Sequence, residues 1–114
     1  MEIKTQNYQI CYDAATATVS FAGSLRLSGP EEYQQISQLL GDVADLKPQK
    51  ITLNLEKLEF LNSSGISMLS KFIIGVRKQG GVQMIVKGSQ SIAWQGKSLK
   101  NLQKLMPALE LELV

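Results

Sequence analysis

The chain has 114 residues, 44% of them hydrophobic and 19% charged, with a net charge of +2. That length fits one domain over residues 1–114 with its own core, and the balance is that of an ordinary globular protein, not a disordered one. Having no histidine and one cysteine, it cannot build a zinc site of the usual kind, an internal disulfide, or a Ser-His or Cys-His nucleophile pair.

No dense run of Lys and Arg marks a nucleic-acid footprint, and no apolar run approaches the roughly 18 residues of a membrane span. No basic segment followed by an apolar core opens the chain, so the expected location is the cytoplasm. The lone thiol, Cys11, suits a reducing compartment and, between Ile10 and Tyr12, is expected to be a buried strand residue.

Tyr8 to Tyr12 and Thr16 to Ala22, rich in β-branched and aromatic residues and separated by Asp13-Ala14-Ala15, predict a hairpin. In its second strand Ala17, Val19 and Phe21 alternate with Thr16, Thr18 and Ser20, and Gly23 is expected to end it. Ser28-Gly-Pro-Glu-Glu then signals a helix start, with Ser28 as the cap and proline in the first turn. Tyr33, Ile36, Leu39, Leu40 and Val43 recur at helical spacing, so this helix should run to about Val43. After a connector containing Pro48, Ile51, Leu53 and Leu55 alternate in a strand from Lys50 to Leu55.

From Leu55 to Gly81 the chain passes through a polar turn, Asn62-Ser63-Ser64-Gly65, into an amphipathic helix that stops at paired glycines. A helix N-terminus needs acceptors for its first backbone N–H groups, and Asn62, Ser63 and Ser64 are each able to supply one. At 100° per residue Ile66, Leu69, Phe72, Ile73 and Val76 share one side, and Ser67, Lys71, Ile74 and Lys78 the other, with Ser63 at the edge of this outward face. By itself the pattern suits a well-capped core helix better than a functional one, since Ser and Asn lead the capping preferences anyway. Ile74 in a polar face is either an ordinary exposed residue or the centre of a docking patch. Val82 to Val86 follows as a strand, and a strand-helix-strand unit implies parallel pairing with 51–55.

Beyond a small, polar segment from Gly88 to Gly96, Leu99, Leu102, Leu105 and Met106 predict a helix from Ser98 to Met106, broken by Pro107. Leu109, Leu111 and Leu113 alternate with Glu110 and Glu112 in a last strand. Trp94 reads as a core residue, with an exposed aromatic anchor as the other option. Gly75, Gly80 and Gly81 form no phosphate loop, Gly-x-Ser-x-Gly and Ser-x-x-Lys are absent, and Glu56 and Glu59 read as solvated charges. These residues fit a binding or switch module and not an enzyme.

Leu58 to Gly65, the glycines at 80 and 81 and the strand after them resemble the STAS domain of bacterial anti-sigma factor antagonists. Gly23-Ser-Leu-Arg26 also matches that family, where Gly-x-Leu/Ile-Asp precedes the first helix. The resemblance implies an α/β STAS-type fold, a mixed sheet of about five strands with helices mainly on one face. It further implies a phosphoacceptor at Ser63 and a partner-binding surface of Asn62, Ser64, Gly65, Ser67, Lys71, Ile74 and Lys78. The implied partners are a serine kinase that doubles as an anti-sigma factor, which binds the unphosphorylated form, and a metal-dependent serine phosphatase; no cofactor or metal is implied.

Two residues depart from the family pattern: Asn62 stands where it has Asp, and Arg26 where it often has another. Asparagine caps a helix as well as aspartate does, so the fold is expected to survive the change. A divergent phosphoswitch is favoured because both serines and the glycine are kept. The alternatives are a scaffold that is not phosphorylated and a small-ligand sensor.

Overall fold

The computed structural model describes residues 1–114. A six-stranded sheet holds its strands in chain order: β1 (Glu2–Lys4), β2 (Tyr8–Asp13), β3 (Thr18–Leu25), β4 (Lys50–Leu61), β5 (Gln83–Gly88) and β6 (Glu110–Leu113). The first three pair antiparallel, and β3 through β6 pair parallel. The parallel connections are made by helices, α1 (Gly29–Glu32) and α2 (Gln34–Asp45), then α3 (Ser63–Gln79), then α4 (Gln95–Gln103). Strands 51–55 and 82–86 do lie side by side, Ile51 opposite Met84 and Leu53 opposite Val86.

The register explains why the helices occupy one face. Tyr12, Val19, Leu53, Val86 and Leu111 form an apolar row across five strands. The next row, Glu2, Cys11, Ser20, Asn54, Lys87 and Glu112, crosses all six and points the other way. Side chains alternate along a strand, so burying the first row against helices leaves the second in solvent. Ile36, Leu39, Leu40 and Val43 of α2 and Leu69, Ile73 and Val76 of α3 join the buried strand residues in one core. Cys11 is therefore half-exposed, not buried as its neighbours suggested; its thiol donates to Glu2 Oε2 at 3.1 Å and holds that carboxyl below its usual pKa.

Several boundaries differ from those the sequence predicts. Strand β1 adds a sixth member to the sheet. Gly23 does not end β3; it has φ +92° inside the strand, and a Cβ there would lie 2.9 Å from Tyr8 Cα, which only glycine tolerates. Ala17, expected in the strand, has φ 51° in the turn before it. The helix foreseen to run to Val43 breaks at Tyr33 (φ −85°, ψ 0°), whose ring is buried. Ser28 precedes α1 but its hydroxyl caps nothing; its backbone N–H donates instead to Glu32 Oε1 at 3.0 Å. The last helix starts three residues earlier than expected, at Gln95, and ends at Gln103.

Strand β4 also continues past Leu55 to Leu61, with two irregularities against β3, between the pairs Ser20/Asn54 and Ala22/Lys57 and again between Gly23/Leu58 and Ser24/Phe60. Such bulges change which residues face the core. Leu55, Leu58 and Leu61, three residues apart, are all buried as a result.

Candidate functional site

The site lies where β4 ends and α3 begins, at the carboxyl edge of the parallel strands, the usual position for partner and ligand sites in such sheets. Asn62, and neither serine, is the cap: its Oδ1 accepts the Gly65 N–H at 2.9 Å, and the helix starts at Ser63. The same oxygen accepts the Tyr33 hydroxyl at 2.7 Å, while Nδ2 donates to Leu27 O at 2.7 Å. The N–H of Gly65 fixes which end of the amide is oxygen, since an NH₂ in that position would face another donor. Burial pushes the Tyr33 phenol above its ordinary pKa and keeps it a donor. The backbone N–H of Asn62 adds a last rung to the sheet at Leu25 O, 3.2 Å away.

Asn62 thus ties the start of α3 to Tyr33 and to Leu27, its Oδ1 accepting twice and one of its two amide N–H groups remaining uncommitted. Gly65, expected on the partner-binding surface, is buried, and a Cβ there would lie 2.7 Å from the Tyr33 hydroxyl and overlap Leu61. Ser64 is half-buried, its hydroxyl 3.4 Å from the Gly29 N–H. All three brace the turn, and their small size allows α1 and α3 to approach.

The remaining positions come together as the period predicts. Ser63, Ser67, Lys71, Ile74 and Lys78 are exposed along one side of α3, with Ile74 36% accessible. On the inner side Ile66 and Phe72 are only half-buried, and Met68, which the sequence did not assign, is in the core. No acidic residue stands in the first turn of α3, so its positive pole favours an added negative charge there, while Arg77 and Lys78 complement the negative pole at the other end.

Other features were not legible. A groove of about 260 Å³ runs between the α1–α2 segment and α3 beside the turn, bordered by Pro30, Tyr33, Ser37, Ser64, Ser67, Met68 and Lys71. Arg26 extends its guanidinium over the Phe60 ring, 4.1 Å from the centroid. Trp94, half-buried, packs on the core and donates Nε1–H to Leu58 O at 3.1 Å, so it takes the core role. No group of three His, Cys, Asp or Glu side chains is arranged to hold a metal ion, and no helix is long and apolar enough to cross a membrane.

The STAS domain family model matches residues 19–101, and the chain belongs to that family. Among solved structures it is similar to a chain of the crystal structure of diguanylate cyclase SiaD in complex with its activator SiaC from Pseudomonas aeruginosa. That match has a TM-score of 0.74 and 16% identity, covering 100% of this chain and 99% of the other. SiaC of Pseudomonas aeruginosa gives 0.74 at 15% identity over 100% and 98%. Apo-SiaC from the same organism gives 0.72 at 14% over 99% and 96%. At these identities the likeness is one of fold. No curated protein matches by sequence at a significant level.

Proposed function

We propose that the protein is a phosphorylation-controlled binding module, and no enzyme, whose α3 surface docks a partner while Ser63 is unmodified and releases it when Ser63 carries phosphate. The observation that supports this reading most is the exposed Ser63 hydroxyl at the first residue of α3, at the head of an exposed face of Ser67, Lys71, Ile74 and Lys78. Ile74 supplies the apolar centre of that face and the lysines its rim. A phosphoserine adds about −1.5 to −2 charges at pH 7. A unit charge pair at about 4 Å is worth roughly 4 kcal/mol at an effective dielectric of 20, so repulsion from an acidic partner weakens binding by up to about three orders of magnitude. The dipole of α3 and Lys71 tolerate the phosphate without refolding.

By family resemblance the partner is a cytoplasmic serine kinase that also acts as an anti-sigma factor, opposed by a metal-dependent serine phosphatase. A second reading is favoured by SiaC, a neighbour in fold that is named as the activator of a diguanylate cyclase and is seen bound to it. On that reading the docked protein is a signalling enzyme, and release switches its activity. Incubation with ATP and the cognate kinase, followed by mass spectrometry, tests the switch. Phosphate is expected on Ser63 and lost in Ser63→Ala; equal labelling of that variant refutes the assignment.

A further inference from the structure

Over the span that faces β3, strand β4 takes seven steps, from Asn54 to Leu61, where β3 takes five, from Ser20 to Leu25. Strand β5 leaves β4 at the start of this span, their last pair being Asn54 and Lys87. The carbonyls of Leu55 and Leu58 are then turned to a side with no strand, although both residues are fully buried. A buried carbonyl without a donor is costly, and α4 removes the cost. Gln95 donates Nε2–H to Leu55 O at 2.6 Å and to Leu58 O at 2.9 Å, and Trp94 adds its indole N–H to Leu58 O. The Gln95 Oε1 accepts the Ser89 N–H at 2.7 Å, where β5 has just ended. Gln95 is 0% exposed, and Gly88 makes the room for it, since a Cβ there would lie 2.7 Å from its Oε1. Two side chains from the start of α4 thus complete the ladder that β5 abandons.

This part of β4 leads straight into the Asn62 turn, so its register decides where the turn sits. Leu58 and Leu61 both face the core only while the second irregularity stays in place between them, and a slip of one residue turns a strand's side chains to the opposite face. Such a slip moves Leu61 outward and draws Asn62 away from Gly65, Tyr33 and Leu27. We infer that Gln95, assisted by Trp94, is a positioning residue for Ser63: it pins the bulged half of β4 in the register that sets the Asn62 cap and the hydroxyl beside it. Its consequence for signalling rests on the reading of Ser63 as the modified residue; the positioning itself does not.

Hydrogen exchange on the whole protein tests this without a kinase. In Gln95→Met, which keeps much of the volume and loses every hydrogen bond, the amides of Asn62, Gly65 and Ile66 are expected to exchange at least about tenfold faster. Those of Leu40 and Val43 in α2, which report global opening, should change far less. Trp94→Phe keeps an aromatic ring, smaller than the indole, and removes one donor, so it gives the same local pattern with smaller amplitude and serves if the first variant does not fold. Acceleration spread evenly over α2 and the start of α3, or unchanged exchange at Asn62 and Gly65, overturns the inference. The two readings fail separately: absence of phosphate on Ser63 in the parent refutes the switch and leaves the exchange pattern intact, whereas a missing local pattern with Ser63 still labelled refutes the positioning alone.

Discussion

Substituting Asn62 by aspartate restores the residue type usual in the family, and the geometry says that it destabilises this protein. In Asn62→Asp one carboxylate oxygen keeps the Gly65 N–H and the Tyr33 hydroxyl, so the cap survives. The other replaces the NH₂ that now donates to Leu27 O at 2.7 Å, setting two acceptors against each other. A part-buried carbonyl deprived of its donor costs about 1–3 kcal/mol. A carboxylate at a helix N-terminus recovers about 0.3–1 kcal/mol. The net loss at pH 7 is about 1 kcal/mol, which for a urea slope of about 2 kcal/mol per molar moves the midpoint down by roughly 0.5 M. Asn62→Ala, which removes the cap and also leaves the buried Tyr33 hydroxyl unpaired, loses more, about 3 kcal/mol. Urea unfolding at pH 7 should therefore rank the parent first, the aspartate variant second and the alanine variant last. An aspartate variant as stable as the parent, or more so, refutes the claim that this turn requires an amide.

Other substitutions separate docking from folding. Ile74→Asp should weaken binding of the proposed partner kinase by about 30-fold or more in titration calorimetry, the effect of a residue worth about 2 kcal/mol at an interface centre, while the melting temperature barely changes. Gly65→Ala puts a methyl group against Leu61 and the Tyr33 hydroxyl and should cost about 1–3 kcal/mol by urea unfolding. The Tyr33 phenol has a raised pKa in the folded protein, so its contribution is fully present below about pH 10, the ordinary value, and is lost as pH climbs through the folded one. Stability measured from pH 8 upward should show this decline in the parent and not in Tyr33→Phe.

The elements visible in the sequence were those whose periodicity runs without interruption. Ile51, Leu53 and Leu55 alternate as a strand should, and Ser63, Ser67, Lys71, Ile74 and Lys78 fall on one face because α3 has no break. The rest of β4 was hidden because Leu55, Leu58 and Leu61 follow a three-residue spacing, which breaks the alternation of a strand and reads as helical unless the bulges are known. Three residues of β1 carry too little pattern to register, and the break at Tyr33 leaves the helical spacing of its neighbours intact. At the turn, three small polar residues in succession made the cap ambiguous from local preference. A long-range contact chose between them: only Asn62 has the second arm that reaches Leu27. Tyr33 was foreseen as a core residue because its size and spacing show in the sequence; its hydroxyl's role does not.

The strands stand in the sheet in the order in which they are synthesised. The side-chain bonds of Asn62 reach only Leu27, Tyr33 and Gly65, all present in a growing chain once residue 65 has been added. Trp94 and Gln95 emerge much later. A nascent or truncated polypeptide that stops short of them already bears Ser63 but lacks its brace, so completion of the chain is itself a condition for showing that serine correctly.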